Sequence, residues 1–149
     1  MYKHIIVAVD DSPTSQRAIE EAATLCAATG ARLTVVHAVD EALFAHFNRV
    51  TLASRDAVQQ ALIKEGKSVL DSAVAAATAA GTKPESKLLV SEHHSTSDQI
   101  VQTIAESGAD LLIVGSHGRR GVQRLLLGSV AEKLLKKVGI SMMVVRGTA

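Results

Sequence analysis

The residues with the most chemical content stand near the end of the chain. Gly115, two residues, Gly118, nine residues and then Gly128-Ser129 form the run G-S-H-G-R-R-G-V-Q-R-L-L-L-G-S. Glycine lets a backbone turn sharply and pass close to a ligand. A helix start presents unpaired N–H groups and a partial positive charge. The run follows Leu111-Leu112-Ile113-Val114, an unbroken apolar stretch suited to a buried parallel strand. It leads into Val130, Ala131, Leu134, Leu135 and Val138, which recur at helical spacing. Strand, glycine loop and helix start together make an anion site, for which phosphate is the usual ligand. Ser116 lies in the same loop, and His117 is placed to reach a phosphate or ribose, or to be an ordinary loop histidine. Arg119 and Arg120 are placed to neutralise phosphate charge; Arg124 reads as solvated surface. The competing reading, an irregular crossover turn, is disfavoured by the strand before the loop and the Gly-Ser helix start after it.

Other motifs are excluded by spacing. Gly115, Gly118 and Gly121 are three apart, which is not the dinucleotide pattern. Gly66-Lys67-Ser68 lacks the first P-loop glycine, since Ala61 stands there, and it falls inside a helical pattern. Asp10, at the end of the first strand, has two readings of equal weight. It bonds a ribose hydroxyl or helps hold a nucleotide-bound Mg ion, or it caps the turn into the first helix. His93-His94 has no further ligand spacing to complete a metal site. No nucleophile stands beside an evident base, so no catalytic set is assigned; slow phosphoryl transfer needs only positioning and charge.

The elements that must position these residues follow from periodicity. Strands are expected at His4–Val9, Leu33–Val39, Lys87–Val90, Leu111–Val114 and Met142–Val145. Helices are expected from Ser12-Pro13 to Gly30, with Ala18, Ile19, Ala22, Leu25 and Cys26 inward, and along Val58, Leu62, Val69, Ala73 and Ala77 to Gly81. Two more run from Asp98 to Ser107, with Ile100, Val101, Ile104 and Ala105 inward, and from Ser129. The stretch from Ser91 to Ser97 reads as loop. The stretch from Asp40 to Arg55, with Phe44 and Phe47, reads as a loop or flap. Strict alternation predicts an open parallel five-stranded sheet with helices on both faces, a Rossmann-like α/β fold. If Asp10 and Gly115 reach one ligand, strands one and four are neighbours, the order is 3-2-1-4-5, and Ala38 ends beside the same crevice.

The chain has 149 residues, within the range of one domain. Hydrophobic residues make up 47% but aromatics only 2%, so Ala, Val, Leu and Ile must fill the core. With 16 basic and 15 acidic residues there is no general attraction for nucleic acid, and one Tyr and two Phe supply few stacking platforms. No apolar run is long enough to span a membrane, and no export signal is read. A lone Cys26, read as a small buried hydrophobe, fits a reducing cytoplasm.

The glycine spacing, the opening H-I-I-V-A-V-D-D-S-P-T-S, the segment A-D-L-L-I-V-G-S-H-G and the closing M-V-V-R together resemble the universal stress protein family, in its ATP-binding subgroup. The resemblance spans residues 1–149 as one domain, apart from about Asp40 to Arg55. It implies the same strand order and an adenine nucleotide as ligand, ATP or another of the class, with or without Mg. Ala8 and Asp10 would line the nucleoside, Ala38 with Val39 would meet adenine through backbone groups, and Gly115, Gly118, Gly128, Ser129 and Val130 would hold the phosphates. It also implies a homodimer. The fifth strand, Met142 to Arg146, is an apolar edge that a second copy would cover. The function so implied is stress signalling through a nucleotide-dependent state of that dimer, with an unidentified protein partner. A slow ATP hydrolase and a nucleotide-free dimeric adaptor are the alternatives.

Overall fold

Five parallel strands form the centre of the computed structural model, which describes residues 1–40, 46, 49, 54–118 and 127–147. In chain order the elements are β1 (His4–Ala8), α1 (Pro13–Thr29), β2 (Arg32–Ala38), α2 (Arg55–Ala79), β3 (Glu85–Leu89), α3 (Thr96–Ser107), β4 (Leu111–Gly115), α4 (Ser129–Lys137) and β5 (Ser141–Val145). The sheet order is β3-β2-β1-β4-β5, as expected, and every neighbouring pair is parallel.

Side chains alternate across a strand, and here that alternation divides the core in two. Ile5, Val7, Leu33, Val35, Leu111 and Ile113 face the layer of α1 and α2, where Ala18, Ile19, Ala22, Leu70, Ala73 and Ala77 meet them. Ile6, Val36, Leu112 and Val114 face α3 and α4 through Ile100, Ile104, Ala131 and Leu134. The interior strands are buried on both faces, so they read as continuous apolar runs.

The helix ends follow local chemistry. Ser12, Ser54 and Ser95 each accept an N–H from the first turn of α1, α2 and α3, and Pro13 occupies the first position of α1. Gly30 and Gly108 close α1 and α3 with φ of 73° and 71°, a left-handed conformation that favours glycine.

Several boundaries and faces differ from the sequence reading. β3 begins at Glu85 and ends at Leu89, because an edge strand tolerates exposed Glu85, Ser86 and Lys87. α3 begins at Thr96, two residues early, because Ser95 and not a later residue is its cap. Its inward stripe is Ile100, Thr103 and Ile104, while Ala105 is exposed; Thr103 is satisfied by donating to the Gln99 carbonyl at 2.9 Å. On α2 the stripe passes through Gly66 and Leu70, leaving Val69 half-buried. Phe44 and Phe47 lie outside the described residues.

His4 and His37 are held within the fold. The guanidinium of Arg32 only donates, so His4 Nδ1 accepts from it at 3.1 Å and Nε2–H donates to Thr34 Oγ1 at 2.8 Å. His37 Nδ1–H donates to the Val9 carbonyl at 2.7 Å. The Asp110 carboxylate accepts the Lys3 and His4 N–H groups at 2.9 and 3.0 Å. The His4 amide first, then that of Lys3, holds its pKa below the ordinary aspartate value.

Candidate functional site

The strand order reverses between β1 and β4, and open α/β sheets place ligands at such a point, beyond the carboxyl ends of the strands. Ala8 lies opposite Val36 on one side and Val114 on the other. That register brings Asp10, Ala38 and the loop after Gly115 to one end of the sheet.

The turn after β1 is stapled from within. Asp10 Oδ1 accepts from the Ser12 N–H at 2.8 Å and the Ser15 hydroxyl at 2.9 Å, and the Asp10 N–H donates to Ser15 Oγ at 2.9 Å. Ser12 Oγ then accepts the Ser15 N–H at 3.3 Å and serves as the helix cap. One carboxylate oxygen therefore orders the turn. The other, Oδ2, lies 2.8 Å from where a Cβ on Gly118 would stand. Asp10 and Gly118 thus form two sides of one narrow gap.

The loop after β4 is fixed by its neighbours. A Cβ on Gly115 would come within 2.8 Å of the Thr14 Cβ, so a glycine is needed there for α1 to lie on β4. Ser116 is 1% exposed. Its N–H donates to the Val145 carbonyl at 2.8 Å and its carbonyl accepts the Gly128 N–H at 2.6 Å. Its hydroxyl lies 3.1 Å from His117 Nδ1. The His117 carbonyl accepts from the Thr14 hydroxyl, with Ser12 Oγ at 3.5 Å. Among the described residues positive φ occurs at Gly30, Gly81 and Gly108, not at Gly118. Close approach, not a left-handed backbone, is what Gly118 provides.

α4 opens differently from the other helices. Gly128 is its N-cap, extended at φ −68° and ψ 163°, with no side-chain cap. The Glu132 N–H makes the first intrahelical bond, to the Gly128 carbonyl at 3.0 Å. Among the described residues no acceptor meets the N–H groups of Ser129, Val130 or Ala131. These amides and the helix dipole present positive potential to the crevice. A Cβ on Gly128 would stand 3.2 Å from the Ser116 carbonyl oxygen and 3.4 Å from the Gly118 nitrogen. That side of Gly128 faces the loop.

Asp10, Ser116, His117, Gly118 and Gly128 are thus connected by contacts, with Ser129 and Val130 next along α4. Ala8 and Ala38 end adjacent strands, with Ala38 two residues beyond the level of Ala8. The Val39 N–H donates to the Leu89 carbonyl at 2.9 Å, so a purine edge at Val39 would not meet that amide. Arg119, Arg120 and Arg124 lie outside the described residues. His93 and His94 belong to a turn in which both amides donate to Ser91 Oγ, and no group of three metal-ligating side chains occurs among the described residues. Thr14 is the residue that sequence reasoning missed. Nothing in its helical position distinguishes it, because its partner is 103 residues away.

A second concavity of about 570 Å³ opens between α1 and α2, lined by Asp10, Asp11, Gln16, Glu65, Ser68 and Ser72 among others. Among the described residues it meets the β4 loop site through Asp10 and the turn that follows. None of the described residues from Gly115 to Val130 lines it.

Comparison with known proteins places these features in context. The sequence profile of the Universal stress protein family matches residues 1–146. A Coxiella burnetii protein named Universal stress protein A homolog 2 is 32% identical over 152 residues, covering 97% of this chain and 95% of its own length. The crystal structure of a universal stress protein in complex with cAMP is similar at a TM-score of 0.71 and 28% identity, over 99% of this chain and 98% of that one. The structure of the universal stress protein from Archaeoglobus fulgidus in complex with dAMP gives a TM-score of 0.70 and 25% identity, over 97% of this chain and 98% of that one.

Proposed function

The chain belongs to the universal stress protein family, and from that premise we propose that it binds an adenine nucleotide in the crevice between β1 and β4. The carrying observation is the start of α4, which has no side-chain cap and stands beside Gly118 across from Asp10. The two similar proteins in complex with cAMP and dAMP support adenine nucleotides as the ligand class. In this reading ATP places its phosphates against the amides of Gly118, Ser129 and Val130. Asp10 Oδ2 serves a ribose hydroxyl or a nucleotide-bound Mg ion. The nucleoside lies over Ala8 toward Ala38. Arg119 and Arg120 add positive charge from the same loop. Gly115 and Ser116 shape the loop from beneath.

The nucleotide acts in a homodimer in the cytoplasm, and its presence signals the state of the cell. The two sheet edges support the assembly. β3 carries Glu85 and Lys87, charges that discourage strand pairing. β5 carries partly exposed Met142, Met143 and Val144 with no charge between them. Two-fold pairing of β5 would cover this edge. Light scattering at micromolar concentration should give a dimeric mass; a monomeric mass refutes the assembly.

The test of the ligand is direct. Purified protein is denatured, and the released material is identified by absorbance and mass, alongside calorimetric titration with ATP and GTP. Adenine nucleotide released, or ATP bound more tightly than GTP, is the expected result. Equal affinity for the two removes the adenine assignment, and no binding of either removes the nucleotide.

A further inference from the structure

We infer that Thr14 is a positioning residue of the nucleotide site, whose hydroxyl aims the Gly118 N–H at the phosphates by holding the His117 carbonyl. The inference rests on the nucleotide reading above and adds a residue that touches no ligand itself.

The geometry starts from the side chain. Thr14 is 9% exposed and is wedged among backbone atoms. Its Cβ lies 2.8 Å from the Cβ position of Gly115, and its Cγ2 lies 3.1 Å from that of Gly147. Neither glycine has a side chain, and Thr14 occupies the space that one would need. Its hydroxyl donates to the His117 carbonyl oxygen. Ser12 Oγ is 3.5 Å from the same oxygen, at the limit of a hydrogen bond, so Thr14 is the principal holder.

A trans peptide puts its C=O and N–H on opposite sides. With the His117 carbonyl turned toward α1, the Gly118 N–H points away from α1. It meets no acceptor among the described residues. The Gly118 nitrogen is also 3.4 Å from the Cβ position of Gly128, at the threshold of α4. The amide therefore joins those of Ser129 and Val130 as a donor set for one anion.

The peptide needs such a hold because glycine follows it. A peptide flip changes ψ of His117 and φ of Gly118, and glycine accepts either sign of φ. Without the hydroxyl, the carbonyl could turn to where the amide stood. A phosphate would then meet an acceptor in place of a donor. The effect is specific to phosphate, since a nucleoside without phosphate does not use this amide.

The experiment is calorimetric titration of the full chain with ATP and with adenosine, for the unaltered protein, Thr14→Val and Thr14→Ser. Valine keeps the shape and removes the hydroxyl; serine keeps the hydroxyl. Thr14→Val should lose about tenfold or more in ATP affinity, the worth of one hydrogen bond to a charged group, with adenosine affinity unchanged. Thr14→Ser should restore ATP binding. A Thr14→Val protein that keeps the full preference for ATP over adenosine overturns the inference, as does a Thr14→Ser protein as weak as Thr14→Val. Absence of ATP binding by the unaltered protein overturns the nucleotide reading and this one together. A measurement independent of variant folding is the Gly118 amide resonance of the unaltered protein. It should shift with ATP and not with adenosine, and an unmoved resonance contradicts the proposal.

Discussion

The starts of α3 and α4 lie on the same face of the sheet and are built on opposite principles. Ser95 turns its hydroxyl onto the Asp98 N–H, and Asp98 adds a negative charge to the first turn. Gly128 has no side chain to offer, and α4 leaves its first amides to the crevice. α1 and α2 follow the α3 pattern through Ser12 and Ser54. A serine cap is worth about 1 kcal/mol relative to alanine, but only about a few tenths of a kcal/mol relative to glycine. The helix that forgoes one stands at the topological switch point, where a capping hydroxyl would compete with an incoming anion. Local stability is given up at the place where a ligand can supply it.

The sharpest way to break this contrast is to place a side chain in the gap. In Gly118→Ala the new methyl would stand 2.8 Å from Asp10 Oδ2. Its φ is not left-handed, so the fold should hold, with melting lowered only by the displacement of the Asp10 carboxylate. ATP affinity should fall by about a hundredfold, the equivalent of two lost charge-assisted hydrogen bonds. Gly128→Ala places its methyl against the loop backbone at 3.2–3.4 Å, not toward the ligand. Both quantities should fall there, with stability down by about 1–3 kcal/mol from overpacking. Calorimetric titration and thermal melting of the two variants separate these cases. ATP binding by both at the original affinity would reduce the loop to a crossover turn.

A smaller effect is expected at Ser129. Ser129→Ala removes a hydroxyl but keeps the amide, so ATP affinity should fall by about tenfold at most with no change in melting. On the capped helix the pattern inverts. Ser95→Ala should lower stability by about 1 kcal/mol in chemical denaturation and leave ATP affinity untouched. A loss of ATP affinity in Ser95→Ala would mean that α3, too, serves the ligand.

The smallest effect is with pH. Lys137 on α4 first, then Ser95, holds the Asp98 pKa below its ordinary value, and Lys137 Nζ lies 2.6 Å from Asp98 Oδ1. Asp110 is lowered in the same direction by the His4 and Lys3 amides. A carboxylate with a depressed folded pKa stabilises above its unfolded pKa, and that contribution is lost as pH falls through the folded value. Stability should therefore decline below about pH 4. Asp98→Asn and Asp110→Asn should each flatten that decline in denaturation curves taken from pH 2 to 5. An unchanged slope in both would assign acid sensitivity elsewhere.

Much of this architecture is readable from residue order, for physical reasons that also mark where reading stops. Ile5 to Val7 and Leu111 to Val114 are buried on both faces, so their apolar runs announce strands. Gly30 and Gly108 stop helices because they supply a left-handed backbone. Asp10 and the glycine loop can be joined in advance, because one ligand crevice per switch point requires β1 and β4 to be neighbours. The first half of β3 is not legible, since Glu85 and Ser86 at an exposed edge look like a turn. The inward place of Thr103 is hidden because its hydroxyl is satisfied within its own helix. The roles of Thr14 and Gly115 are tertiary, set by a helix lying on a strand distant in the chain. The direction of the Gly128 Cβ, toward Ser116, His117 and Gly118, depends on tertiary contacts that spacing does not give.

The most direct test of the central claim is an amide-resolved titration of isotopically labelled protein with ATP. The account predicts that the resonances of Gly118, Ser129 and Val130 shift together and saturate at one affinity, while the capped first turn of α3, reported by Asp98, stays in place. Saturable shifts confined to other parts of the molecule, with these three amides unmoved, would contradict it.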